Sequence, residues 1–310
     1  MIRALICAFL VNYACAQPEK VVFDTDCAYF NDDGAALVML LNRPKQVEIE
    51  GMTVVPGNFW PIQGAEYMSH ILKLMGRSDV PLFFGAQAPL VHTRAMVKKE
   101  TGIEYLGAFK TDPPKFSGSV KAIDFLIETI EKSPGKITVL GLGPMTNLAI
   151  ALRMRPDLQS KIGRLVFMGG ATHGQEFNFW FDPEAAQIVL RSSIQKKVMF
   201  GLDICERVPI DKAHSDQITA HTPIADLYRD DRAKNPSPYV WDALPAAFLL
   251  DTEFVTRRET RYLDVDSVFG KNYGAVIPLD RTLAPDATPV EVMLDLDFER
   301  FFALYKSLIH

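Results

Sequence analysis

The stretch Val21-Val22-Phe23-Asp24-Thr25-Asp26-Cys27-Ala28-Tyr29-Phe30-Asn31-Asp32-Asp33-Gly34 constrains this chain more than any other. A short apolar run ends in four closely spaced carboxylates, and Ala35 to Leu41 continues as an apolar, helix-like segment. That pattern reads as a buried strand, a turn and a helix. In an α/β sheet, the turn at a strand's carboxyl end faces the ligand crevice. Clustered carboxylates raise one another's pKa, and a hard cation such as Mg²⁺ or Ca²⁺ is the usual reason for them to coexist. The plainer alternative is an acidic turn in which Asp32 or Asn31 caps the helix.

The rest of the chain repeats the strand–turn–helix rhythm. Val47 to Val55 reads as a strand ending at the turn Pro56-Gly57-Asn58, and Gly64 to Leu74 has helical periodicity. Val80 to Phe84 is a short strand, followed by an irregular polar region from Gly85 to Pro114, long enough for a lid or binding loop. A helix over Val120 to Ile130 precedes the strand Lys136 to Leu140, whose turn Gly141-Leu142-Gly143-Pro144-Met145-Thr146-Asn147 leads into another helix. Arg164 to Met168 is a strand closed by Gly169-Gly170, and Asp182-Pro183 opens a helix as cap and first residue. Glu176 and Asn178 flank Phe177 in an alternation that puts both on one face if the segment is extended. Lys197 to Phe200 leads to an acidic strand end at Asp203; two or three helices fill Pro209 to Leu250. Strands at Arg261 to Val265, Gly274 to Pro278 and Val290 to Leu294 precede a closing helix from Phe298 to Ile309. With no repeat or linker, this predicts a single α/β domain: a mostly parallel twisted sheet flanked by helices.

A chain of 310 residues, 48% of them hydrophobic, has enough apolar material for one large core. Its net charge of −5, with no basic run, argues against a nucleic-acid partner and for a small or neutral substrate. Residues 1–16 read as an export signal: Arg3, an apolar run from Ala4 to Val11, and Ala14-Cys15-Ala16 as the cleavage site. The run is too short to span a bilayer, so the mature domain, 17–310, is expected to be exported (periplasmic or secreted) without a membrane anchor. Cys27 and Cys205 remain after cleavage; they read as buried free thiols, with one post-export bridge as the alternative.

Taken in order, several turns resemble the inosine/uridine-preferring nucleoside hydrolase family: Asp24-Thr25-Asp26 with Asp32-Asp33, Pro56-Gly57-Asn58, Gly143-Pro144-Met145-Thr146-Asn147, Met168-Gly169-Gly170, Glu176-Phe177-Asn178 with Asp182-Pro183-Glu184-Ala185-Ala186, and Trp241-Asp242. The resemblance covers essentially the whole mature chain and implies the Rossmann-like fold of that family. It also implies an enzyme that hydrolyses the N-glycosidic bond of ribonucleosides to free base and ribose, in nucleoside salvage or purine metabolism.

By that resemblance one Ca²⁺ is held by Asp26, Asp33, the Leu142 carbonyl and Asp242, and Asp26 activates a water on the metal as general base. Asp32, Asn58, Glu176, Asn178 and Asp242 are implied as ribose ligands. The residue types suit the chemistry: calcium takes many oxygen ligands, and negative charge stabilises an oxocarbenium-like ribosyl as the base departs. The resemblance further implies a homo-oligomer, dimer or tetramer.

The sequence departs from the family pattern in four places. Trp241 stands where many members have His, as in the purine-preferring branch, where it stacks on the base; a core aromatic is the alternative. Cys27-Ala28 replaces Pro-Gly in an opening turn longer than the shortest family version. The segment between Gly170 and Glu176 is short, leaving His173 or Gln175 to stand in for a ribose-binding Asn. His92, in the long loop, is a further candidate for the base, whereas Trp60 and Trp180 read as structural. Two other readings follow: a catalytically weak nucleoside- or ribose-binding protein on the same scaffold, and a phosphatase of haloacid-dehalogenase type with Asp24 as nucleophile.

Overall fold

The computed structural model describes residues 17–27, 29–97, 106–235 and 237–310, so the expected export signal lies outside the described residues. Eight strands form the main sheet: β1 (Glu19–Thr25), β2 (Val47–Val54), β3 (Leu82–Phe84), β4 (Ile137–Gly141), β5 (Arg164–Met168), β6 (Lys197–Phe200), β7 (Val255–Arg261) and β10 (Val290–Leu296). A small antiparallel ribbon of β8 (Leu263–Val265) and β9 (Val276–Pro278) stands apart. The main order is β3-β2-β1-β4-β5-β6-β10-β7, parallel throughout except for the edge strand β7. The predicted single α/β domain is what forms.

Helices cover both faces. On one side the helices Asn31–Leu41, Pro61–Leu74, Pro223–Lys234, Ala243–Leu250 and Phe298–Leu308 share an apolar core with β1 and β2. On the other, Ala122–Lys132, Thr146–Met154 and Pro183–Leu190 pack on β4 and β5. Strands buried on both faces are apolar along their whole length, which is why these runs are legible in sequence. Among the described residues no helix is long and apolar enough to cross a membrane.

Three local expectations need correction. The strand Val255–Arg261, sequence Val-Thr-Arg-Arg-Glu-Thr-Arg, is missing from the sequence reading because its outward positions are charged, as suits a protected edge strand. The Glu176–Asn178 segment is not extended: Phe177–Phe181 is a short helix with Glu176 as its cap. The loop after β3 is not free over its described part. Trp60, Phe109, Trp180 and Phe181 form a third apolar cluster there, and the Ala108 N–H donates to the Gly57 carbonyl at 2.7 Å.

The order also locates the crevice. From β1 the chain moves outward to β2 and β3, then returns to place β4 on the other side of β1. Where connections diverge from neighbouring parallel strands, their carboxyl ends leave a gap, the topological switch point. Asp26 follows β1, Gly57 follows β2 and Leu142 follows β4, so all three border that gap.

Candidate active site

Asp26 sits at the centre of the gap because glycines on both sides make room for it. A Cβ on Gly57 would lie 2.0 Å from Asp26 Oδ2, and one on Gly143 would lie 2.8 Å from the Asp26 Cβ. Those glycines serve close approach rather than backbone freedom. The Asn58 N–H donates to Asp26 Oδ2 at 2.7 Å, and Asn58 Nδ2 reaches Oδ1 at 3.4 Å. Asn58 thus orients the carboxylate from the turn after β2.

Asp32 and Asp33 lie in the first turn of the helix Asn31–Leu41, whose cap position is Phe30 and carries no side-chain cap. The reading of Asp32 or Asn31 as helix cap therefore fails. One carboxylate oxygen from each of Asp32, Asp33 and Asp242 falls within 4.8 Å of the others, with all three residues buried. Thr25 Oγ1 donates to Asp33 Oδ1, while Asp33 Oδ2 finds no hydrogen-bond partner among the described residues. The Asp242 N–H reaches Asp32 Oδ2 at 3.4 Å.

The electrostatics of this group are unfavourable as it stands. Burial, followed by the charge of Asp33, holds the Asp26 carboxyl well above the ordinary carboxylate range. Burial and the Asp32 charge push Asp33 up to about 8; burial pushes Asp32 up to about 6. Asp242 is raised strongly, by burial first and then by Asp32 and Asp33. Buried carboxylates of one sign coexist when a cation neutralises them.

The donor set fits such an ion. The candidate ligands are hard oxygens, and Asp33 Oδ2 is a buried acceptor lacking a donor. The expected ligands meet only in part: Asp33 and Asp242 belong to the close trio, but its third member is Asp32, with Asp26 beside it on the Asn58 turn. The Leu142 carbonyl accepts from Asn178 Nδ2 at 2.9 Å, which leaves a second lone pair on that oxygen.

The remaining expected residues divide. Glu176 acts first as a cap: Oε1 accepts from the Asn178 N–H, and Oε2 from those of Gly170 and Phe179. Asn178 is buried between the ends of β4 and β5, its Nδ2 also reaching the Met168 carbonyl at 3.2 Å. Trp241 is half-buried against the core, its ring 5.4 Å from Tyr239, and its indole N–H has no partner among the described residues.

His92 does not face the gap as a free candidate. It is buried within an aromatic cage of Phe109, Trp180 and Tyr273, with Nδ1 3.0 Å from the Trp180 carbonyl. His173 is exposed on its turn, and Gln175 donates to the Tyr273 carbonyl at 2.5 Å. Trp60 and Trp180 are core residues, as expected. Cys27 and Cys205 are free and buried.

Asp24 removes the basis for the phosphatase reading. It is buried, and its Oδ1 accepts from Thr53 Oγ1 and from Asn147 Nδ2, the latter at 2.7 Å. Burial pushes it up to about 7, so it is a structural carboxyl and a poor nucleophile. The sequence reading missed Thr25, Thr53 and Asn147 as supports; the only signal was their place within the quoted turns.

The carboxylate gap at the strand ends matches a known arrangement. The family model for inosine-uridine preferring nucleoside hydrolases matches residues 21–303. The chain belongs to that family. The pyrimidine-specific ribonucleoside hydrolase RihA of Citrobacter koseri is 30% identical over 303 residues, covering 92% of this chain and 96% of that protein. RihA of Salmonella arizonae is also 30% identical, covering 90% and 95%. Among solved structures, the purine-preferring ribonucleoside hydrolase of Gardnerella vaginalis aligns with a TM-score of 0.75 at 26% identity, covering 94% of this chain and 98% of that one. The plant nucleoside hydrolase PpNRh1 shares the fold, with a TM-score of 0.76 over 94% of this chain and 99% of its own.

Proposed function

We propose that Asp26 is the general base of a cation-dependent ribonucleoside hydrolase, and that Ca²⁺ is the cation. Hydrolysis of the N-glycosidic bond to free base and ribose is the reaction of the family to which the chain belongs. The observation that carries the finer reading is the buried group of Asp26, Asp32, Asp33 and Asp242, with Asp33 Oδ2 lacking a donor.

Asp26, Asp33 and Asp242, with the Leu142 carbonyl, would hold the ion. When bound, it would neutralise these carboxylates and act as a Lewis acid toward the attacking water. Asp26 takes a proton from that water while Asn58 fixes the carboxylate's orientation. Asp32, Asn58, Glu176 and Asn178 bind ribose hydroxyls. A site built for hydroxyls rejects analogues that lack them, because its buried partners are left unpaired. Fixed negative charge around the sugar favours the oxocarbenium-like transition state over the neutral ground state.

Ribose release from inosine, adenosine, guanosine, uridine and cytidine, with and without chelator, tests the reading. Turnover that chelation abolishes and Ca²⁺ restores is expected; turnover indifferent to chelation would remove the cation from the reading. We also infer export with cleavage after Ala16, which N-terminal sequencing of protein recovered outside the cytoplasm would check.

A further inference from the structure

Tyr29 belongs to the same turn as the catalytic carboxylates, yet the mechanism does not use it. It adopts φ +60°, the only non-glycine residue with positive φ among those described. The left-handed region is uncommon for a bulky side chain, and such strain clusters at functional sites. Cys27 helps hold it: its buried thiol donates to the Tyr29 carbonyl at 3.1 Å. The Tyr29 ring lies 5.2 Å from that of Phe59, edge to face, and 5.0 Å from that of Tyr67. Despite these contacts Tyr29 remains 43% exposed, so the turn presents an aromatic face at a cost in backbone strain.

That face borders a cavity of about 310 Å³ between the helices Pro61–Leu74 and Pro223–Lys234. Tyr29, Phe30, Tyr67, Ile71 and Leu227 supply its apolar wall and Asp231 part of its polar one. Asp231 is buried, accepts from Asn235 Nδ2 at 3.1 Å, and its charge is felt by Asp32 in the site. An apolar, aromatic wall with few polar groups is what a planar heteroaromatic ligand requires, and the volume suits one base rather than a polymer. The turn thus has two sides: Asp32 and Asp33 toward the sugar site, Tyr29 and Phe30 toward this cavity.

We propose that this cavity receives the leaving base of the substrate, with Tyr29 as the residue that selects it and the Asp231 carboxylate as acceptor for a base N–H. The inference rests on the ribonucleoside-hydrolase reading above. It differs from the sequence expectation for Trp241, whose ring is packed on Tyr239 and the core.

The test measures steady-state kinetics with each nucleoside, and inhibition by free ribose, for wild type, Tyr29→Ala, Leu227→Trp and Trp241→Ala. Tyr29→Ala should raise KM for cleaved nucleosides by about ten-fold or more, the scale of a lost base–aromatic stack, and leave inhibition by ribose unchanged. Leu227→Trp fills the cavity and should do the same, which keeps the test decisive if Tyr29→Ala does not fold. Unchanged nucleoside KM in both folded variants, ribose inhibition that weakens in parallel, or an effect confined to Trp241→Ala would each overturn the proposal. If wild type cleaves no nucleoside, the hydrolase reading falls, and calorimetry with free hypoxanthine and free cytosine decides the cavity by itself. Binding of either base that Leu227→Trp abolishes supports the cavity, and no binding overturns it.

Discussion

The two ends of the same parallel sheet treat charge in opposite ways. At the carboxyl end, Asp26, Asp32, Asp33 and Asp242 are buried together, and no lysine or arginine is paired with any of them among the described residues. At the amino end, the charges are matched: Glu19, at the start of β1, accepts from Arg164 NH2 at 2.6 and 2.8 Å, and Arg258 lies 3.4 Å from Glu291. The largest cavity, about 710 Å³, lies along that matched end, away from the carboxylates. Size is therefore a poor guide to chemistry in this molecule, and uncompensated burial of like charge is a better one.

Even the buried cation at the amino end is satisfied locally. Lys197 is 1% exposed, donates to the Leu190 and Ser192 carbonyls at 2.6 and 2.8 Å, and is pushed by burial down to about 7. Its carbonyl partners need no ion. The carboxyl end, by contrast, calls for a component the chain does not supply.

The largest expected effect follows from removing the base. Asp26→Ala should lower kcat by about a thousand-fold, within the ~10²–10⁴ range for general bases, while ion-free thermal stability holds or rises as one like charge leaves. A ribose-release assay beside a thermal melt reads both; unchanged kcat would place the base elsewhere. Next comes calcium itself, which should stabilise the folded chain by about 2.7 kcal/mol when present at 100 times its Kd. An unmoved melting temperature on calcium titration would contradict a cation at this end.

The pH response should separate the two ends by sign. Asp32, Asp33 and Asp24 have folded pKa values raised to about 6, 8 and 7, so the folded state binds more protons than the unfolded one between pH 4 and these values. The stability they contribute is complete below the unfolded pKa and lost as pH rises through the folded values, by about a few kcal/mol in the ion-free protein. Saturating calcium should flatten the part due to Asp32 and Asp33. Lys197 acts oppositely: neutral in the folded state above about 7, it lets stability rise toward pH 10, and Lys197→Met should remove that rise. Melts across pH, with and without calcium, read both slopes. The smallest effect is expected for Glu19→Gln, about 1 kcal/mol of stability with kcat unchanged, since the Glu19–Arg164 pair is only partly buried. A fall in kcat there would show that the ends are coupled.

What could be read from sequence follows the same division. The parallel strands were legible because burial on both faces makes them apolar throughout, and the acidic turn because four carboxylates so close together need a reason. The seat of Asp26 was not legible: it depends on Gly57 and Gly143, which come from different turns and matter only for how closely they approach. Phe177-Asn178-Phe179-Trp180-Phe181 alternates like a strand but folds as a helix once Glu176 takes up its free N–H groups. His92 looked polar and available because the aromatic residues that enclose it come from distant segments. Cys27, unexplained as a replacement for proline, becomes intelligible only with the conformation of Tyr29.

The seat of Asp26 also bears on the order of folding. Its walls come from the connections after β2 and β4, which pair on opposite sides of β1, and Asn147 binds Asp24 from 123 residues away. Contacts so distant in sequence close late, because the intervening chain must first be organised. A refolding chain should therefore regain helical signal well before it regains the site, and the return of calcium binding would time the moment at which the two halves of the sheet meet.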